Sequence, residues 1–387
     1  MLTPTNIKNY IDHRNHDLFK RLSKSYTITL NKILERRDDG NHALWFCRIN
    51  QDEADVTYYD DIESSCFFTH ELLHIDVISR GFTDFRDLLP LIESTKKNLL
   101  FACILGHINN MFAHTKFYKD FLDLGYRPDE FVSDYDSTLN INEIINTINA
   151  SFDNRELPNE GVNTFISSYF TAKENTNPAK NYGYSELIEF LENKNKWLFQ
   201  ILDRHWKNWI GSTTYNNAEI LSSLFDQTEI WHNAEKKTNE IRSYFINGLS
   251  DILHILLDEI IRKIYHDCRI SIIAQSTAQL LTNTGNSASH VSWNKEKPEL
   301  KPDRIFLNIS AGDETIIWDL LHEYGHLIDG PPSDQIDNKL KDKSREMKAW
   351  ENGMILLNKA PQYISDYKMR MEFCLNTYDK LSDEWEV

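Results

Sequence analysis

The sequence predicts an α+β protein in which two mixed strand-and-helix segments flank a helical middle. Three observations predict it. The pattern His-Glu-x-x-His occurs twice, in FTHELLHIDV at residues 68–77 and in WDLLHEYGHLIDGPP at residues 318–332. Short runs rich in β-branched and aromatic residues precede each copy: SYTITL, ALWFCRI and DVTYY before the first, ISIIAQ, HVSW and RIFLNI before the second. Between them, apolar residues recur at three- and four-residue spacing, the signature of amphipathic helices. The division expected is therefore an N-terminal domain at 1–135, a helical middle at 136–265 and a C-terminal domain at 266–387.

Composition bounds the function before any motif does. Hydrophobic residues make up 41% and aromatics 12% of the 387 positions, enough to build packed cores. The net charge of −17 repels nucleic-acid phosphates, so no nucleic acid is expected as a partner. The first residues, MLTPTNIKNYIDHRNHDLFKRL, hold no apolar signal core, and no run of eighteen apolar residues is present. No membrane association and a cytoplasmic location are the expectation. The five cysteines are scattered with no Cys-x-x-Cys pair, which suggests reduced thiols rather than a disulfide framework or a thiolate metal site. No Gly-x-Ser-x-Gly, P-loop or Gly-x-Gly-x-x-Gly is present, which argues against a serine hydrolase, an NTPase or a dinucleotide enzyme.

In chain order, a helical start leads to three strands and then to SSCFFTHELLHIDVISRGF, a helix ending near Gly81. On it His70 and His74 are one turn apart on one face, and Glu71 is placed as a base. Phe67, Phe68, Leu72, Leu73 and Ile75 should bury this helix deeply. The following NLLFACILGHINNMFAHTKFYKDFLDLGY is a long helical pattern that lines up His107, Asn110 and His114 on one face. His114 is the first choice for a third ligand and His107 the second. Glu93 is a further candidate, and Asp76, off the face of His74, suits a supporting or salt-bridging role. A helix bearing Asn-x-x-x-His after His-Glu-x-x-His resembles other zincin-like proteins.

The middle contains INEIINTINASF, YSELIEFLENKNKWLFQILDRHWKNWI and IRSYFINGLSDILHILLDEIIRKIY, all with helical periodicity. Trp197, Trp206 and Trp209 are its core, and His254 is a satisfied core histidine. In the last segment Asp313 and Glu314 suit a helix start, while Gly330, Pro331 and Pro332 enforce a stop, so 314–329 should be one helix. His322 and His326 are again one turn apart, with Glu323 beside them as general base. A third ligand is expected from SREMKAWENG. Glu346 is preferred to Glu351, because Ala349 and Trp350 would pack that helix against the motif helix. His290 and Tyr378 are candidates to steady an oxyanion.

Taken together, RIFLNI, DLLHEYGHLIDG and REMKAWENG resemble the small gluzincin-type zinc peptidases, especially the ImmA/IrrE-like group, over roughly residues 270–380. The resemblance implies zinc held by His322, His326 and Glu346, with Glu323 as base. Two features depart from it. Larger gluzincins carry an aspartate four residues after the glutamate ligand, where this chain has Trp350. ImmA/IrrE-like proteins often pair with a DNA-binding regulator, and no helix-turn-helix pattern occurs here. The expectation is a zinc metallopeptidase with one or two Zn²⁺ per chain. It would cleave a particular protein or peptide substrate in a regulatory or defence-related setting. The alternatives are a partner-binding protein with structural or degenerate metal sites, and a hydrolase of a non-peptide amide.

Overall fold

A computed structural model describes residues 2–33, 45–59, 64–88, 99–131, 140–152, 159–174, 183–245, 248–284, 288–293, 302–331 and 339–383. It is α+β, with two small mixed sheets among those residues. The chain divides into two compact units, Met1–Asp226 and Gln227–Val387.

The first unit opens with β1 (Leu2–Pro4), α1 (His16–Leu22), β2 (Thr27–Ile33), β3 (Trp45–Asn50) and β4 (Glu53–Tyr59). The sheet order is β1-β2-β4-β3. Strand β2 runs parallel to β4, with Leu30 opposite Val56, and β3 lies antiparallel on the other side of β4, with Cys47 opposite Val56. The first motif helix follows as α2 (Ser65–Ser79). Ser64 caps it by accepting from the Cys66 N–H, and Gly81 at φ 101° lets the chain turn away two residues past its end. Phe68, Leu72, Leu73, Ile75 and Val77 are all buried. A helix apolar on so many sides must be covered on more than one face, and α2 lies between the sheet and α4. Tyr58 anchors the sheet side: its hydroxyl accepts from Tyr10 at 2.8 Å and its ring stacks on Trp45 at 4.5 Å.

After the short α3 (Phe85–Leu88) comes α4 (Leu99–Asp123), then α5 (Ile141–Phe152), α6 (Asn159–Glu174), α7 (Tyr184–Lys194) and α8 (Lys196–Gly211). The run written in the sequence as one helical stretch from Tyr184 is two helices. Asn195 leaves the helical region and caps α8 by accepting from the Leu198 N–H at 2.9 Å. Phe112 of α4 stacks on Trp209 of α8 at 5.1 Å and meets Phe170 of α6 edge-on at 5.8 Å, so α4 is fixed from two sides.

The two units divide within α9 (Ala218–Arg242). The second unit continues with α10 (Asp251–Lys263), β5 (Ser271–Gln275), α11 (Thr277–Thr284), β6 (His290–Ser292) and β7 (Arg304–Asn308). Its sheet has the order β5-β7-β6. Strand β5 is parallel to β7 and β6 antiparallel to it. This is the path of β2, β3 and β4 over again: a first strand parallel to the third, a second strand antiparallel on the third's other side, then the motif helix. The repetition is not visible as sequence similarity outside the motif.

The second motif helix is α12 (Thr315–Asp329). It starts one residue later than the sequence suggests, and the Asp313 carboxylate accepts from the Thr315 N–H at 3.0 Å. Gly330, at φ 91°, ends it. Helix α13 (Lys339–Met354) then packs unusually close. A Cβ on Gly325 would stand 1.8 Å from the Ala349 carbonyl oxygen, and one on Gly353 would stand 2.4 Å from that of Leu321. Glycine is needed at both places because backbone meets backbone. Helix α14 (Ile364–Asp383) completes the unit. Its Tyr367 hydroxyl donates to the Trp350 carbonyl at 2.9 Å, and Arg370 grips Asp319 of α12 with two nitrogens at 3.0 and 3.1 Å. Among the described residues no helix is long and apolar enough to cross a membrane.

Candidate metal centres

Two clusters of potential metal ligands are present among the described residues, one in each unit: His70, His74 and His114, and His322, His326 and Glu346. Within each, the ligand atoms lie within 4.8 Å of one another.

In the second unit the helical repeat puts the His322 and His326 rings 4.5 Å apart. The close approach of α13 at Gly325 then brings Glu346 between them. Its two oxygens stand 3.0 Å from His322 Nε2 and 3.3 Å from His326 Nε2. Two ligand atoms at 2.0–2.1 Å from a tetrahedral ion are roughly 3.3 Å apart, so this set is spaced as a zinc site requires. Burial pulls the Glu346 carboxyl upward, but hydrogen bonds from both imidazoles outweigh it and hold the group below the usual carboxylate range. Burial lowers His322, partly offset by its bond to Glu346, which favours the free-base imidazole that ligates. Trp350 stacks on His322 with centroids 4.3 Å apart and planes 23° apart, so the ring is held by a π-face where a carboxylate could have stood. Glu351 is exposed.

Glu323 is 2% exposed. It accepts the Val291 N–H of strand β6, while its Oε2 finds no partner. Burial, then the negative charges of Glu346 and Asp319, push its pKa well above the ordinary carboxylate value. A carboxyl so placed has one oxygen held by the sheet edge and one without a partner.

In the first unit the His70 and His74 Nε2 atoms face each other at 3.1 Å. His114 of α4 closes the set, its ring centroid 4.8 Å from that of His70 and 5.2 Å from that of His74. Burial first, then the neighbouring imidazoles, drive His70 and His74 well below the ordinary histidine value, so both are neutral at pH 7. The His114 Nε2 is buried with no hydrogen-bond partner, an orphan that a metal ion would satisfy. Its Nδ1 bonds Glu174, the last residue of α6. Phe117 and Phe131 wall the cluster, with rings 5.3 and 5.0 Å from His70. Glu71, buried, is hydrogen-bonded to the Cys47 thiol of strand β3, which burial and then the Glu71 charge raise well above its usual value.

His107 lies outside the cluster. It shares with His114 the face of α4 that meets α6, but seven residues are about 10 Å of helix, too far for one ion. Its Nε2 bonds Thr171 Oγ1 at 3.1 Å. Asp76 is buried and ion-paired to Arg80 at 2.5 Å and to Arg21. Glu93 lies outside the described residues, as does the side chain of Tyr378. His290 stacks on Phe306 at 5.1 Å and bonds the Ala288 carbonyl, and His254 is half-buried on α10.

Glu174 and Cys47 were not singled out by the sequence. Glu174 falls in KENTNPAKNYGY, which its Asn, Pro and Gly make read as a loop. Cys47 reads as one small apolar residue in a strand. Comparison of the chain with family models, curated proteins and solved structures finds no match.

Proposed function

We propose that this chain is a zinc-dependent metallopeptidase of the zincin type, with its main catalytic centre at His322, His326 and Glu346. The observation that carries the reading is the convergence of two imidazole nitrogens on one carboxylate, beside a buried glutamate with a free oxygen. Zinc there would polarise the scissile carbonyl and acidify the attacking water. His322, His326 and Glu346 would hold it. Glu323 takes the proton from the water and passes it to the leaving amine, and its raised pKa suits both halves of that transfer. Val291 fixes one oxygen of that carboxyl through its N–H. Trp350 and the Asp319–Arg370 pair hold the motif helix and the His322 ring in place. The resemblance of this segment to ImmA/IrrE-like peptidases points the same way. In this reading both motif-bearing segments are zincin-like, the protein works in the cytoplasm, and its substrate is a particular protein rather than bulk peptide.

The first unit is read as a second zinc centre, held by His70, His74 and His114 with Glu71 as the adjacent acid–base group. The competing reading is a partner-binding protein whose metals are structural. Glu323 argues against it, because a purely structural site has no use for a buried carboxyl with an unpartnered oxygen at the ligand cluster. The test is Glu323→Gln, with metal content and turnover of an identified protein substrate measured together. Retained zinc with cleavage lowered by a hundredfold or more supports the peptidase. Retained zinc with undiminished cleavage removes Glu323 from the mechanism.

A further inference from the structure

We propose that Glu174 is the outer carboxylate of the first centre, orienting His114 as a ligand and supplying the negative charge that its three imidazoles lack. The proposal rests on reading that cluster as a metal site. Both nitrogens of the His114 ring bear on it. His114 Nδ1 bonds Glu174, and both side chains are essentially sealed from solvent, at 0% and 1% exposure. His114 Nε2 is buried and has no partner. With Glu174 ionised, as the proposal holds, its carboxylate can only accept, so this bond puts the ring proton on Nδ1 and leaves the Nε2 lone pair for an ion.

Charge leads to the same assignment. The second centre has a carboxylate among its ligands, Glu346. A divalent ion there is reduced to a net charge of about +1 by its own ligand set. The first centre offers imidazoles alone, which carry no charge to offset the ion. A divalent cation enclosed by Phe117, Phe131 and neutral rings would be costly to bury unless a counter-charge stood close by. Glu174 provides it one hydrogen bond away. The two centres then reach the same net charge with the carboxylate moved from the inner to the outer position. His107 has a hydroxyl, Thr171, where His114 has this carboxylate, although both sit on the same face of α4.

The experiment uses the full-length chain and Zn²⁺ alone as the probe, titrated against a competing chelator. Glu174→Gln keeps the shape and removes the charge. It should weaken zinc binding at the first centre by about 10- to 100-fold and leave the second unchanged. Glu174→Asp, which keeps the charge, should recover part of that loss. Equal affinity in wild type and Glu174→Gln would overturn the proposal, as would equal losses in both variants. Should Glu174→Gln fail to fold, the metal-free wild type decides. In long-range ¹⁵N–¹H spectra of labelled histidines, His114 should show a protonated Nδ1 and a bare Nε2, and the opposite tautomer overturns the assignment. A wild type holding one zinc that His114→Ala does not disturb would instead refute the first metal centre itself, and the proposal with it.

Discussion

The two halves of this chain run the same strand path into the same five-residue motif and then diverge in how they complete the candidate ligand set. In the first, α4 supplies His114, and the carboxylate Glu174 stands behind it. In the second, α13 supplies the carboxylate Glu346 directly. The fourth position of the motif shows one physical root of the difference. It is Gly325 in the second copy, where a Cβ would stand 1.8 Å from the Ala349 carbonyl oxygen. It is Leu73 in the first, a full side chain at 1% exposure. The glutamate of each motif meets the antiparallel strand on the far side of its sheet, but the contact differs. Glu323 accepts a backbone N–H from Val291, whereas Glu71 bonds the Cys47 thiol. One backbone plan thus allows an open-handed carboxyl in one copy and an engaged one in the other.

The largest effect should come from removing the motif histidines. Metal analysis of the wild type should give two zinc ions per chain. His70→Ala with His74→Ala should remove one, and His322→Ala with His326→Ala the other. A wild type with a single zinc would break the parallel between the halves. Within the second centre, Glu346→Gln should strip most of its zinc, while the exposed Glu351→Gln should not. The reverse pattern would make Glu351 the ligand.

A matched pair of core changes probes the fourth motif position. Gly325→Ala forces a methyl into backbone and should cost about 3 kcal/mol, near the upper end for overpacking. It should also loosen zinc at the second centre alone. Leu73→Ala empties a filled site and should cost about 2–5 kcal/mol in the first unit. Calorimetry of each variant, with zinc occupancy, checks both. A harmless Gly325→Ala would mean that α12 and α13 do not need their close approach.

The smallest effect concerns how α2 begins. Asp12 accepts from Ser65, the first residue of α2, at 2.9 Å and is ion-paired to Arg14 at 2.7 Å. Burial pulls its pKa up, but hydrogen bonds from Arg14 and Ser65 win and hold it at about 2, against 3.8 when unfolded. The carboxyl is depressed in the fold, so its contribution is fully present above pH 3.8 and fades as pH falls through about 2. Asp12→Asn should therefore cost up to about 1 kcal/mol at neutral pH, given its part-exposed setting, where solvent screens the charge. The difference from wild type should vanish at the acid end. A pH-independent difference would mean that the bond to Ser65 acts by shape rather than charge.

The sequence by itself determined the local pieces. Period-two and period-3.6 patterning placed the strands and the motif helices, because burial on one face imposes those periods on any chain. Gly330 and the prolines after it fixed the end of α12, and the spacing of His322 and His326 made them neighbours without further information. What only the tertiary structure decided is what meets those helices from afar. That His114 rather than His107 joins His70 and His74 depends on how far along α4 the motif helix crosses it, and both histidines share one face. Glu174 and Cys47 lie 60 residues after His114 and 24 before Glu71, outside any periodic signal. The repeated strand path was likewise invisible, since a sheet's topology is set by hydrogen bonds between distant segments that no local pattern encodes.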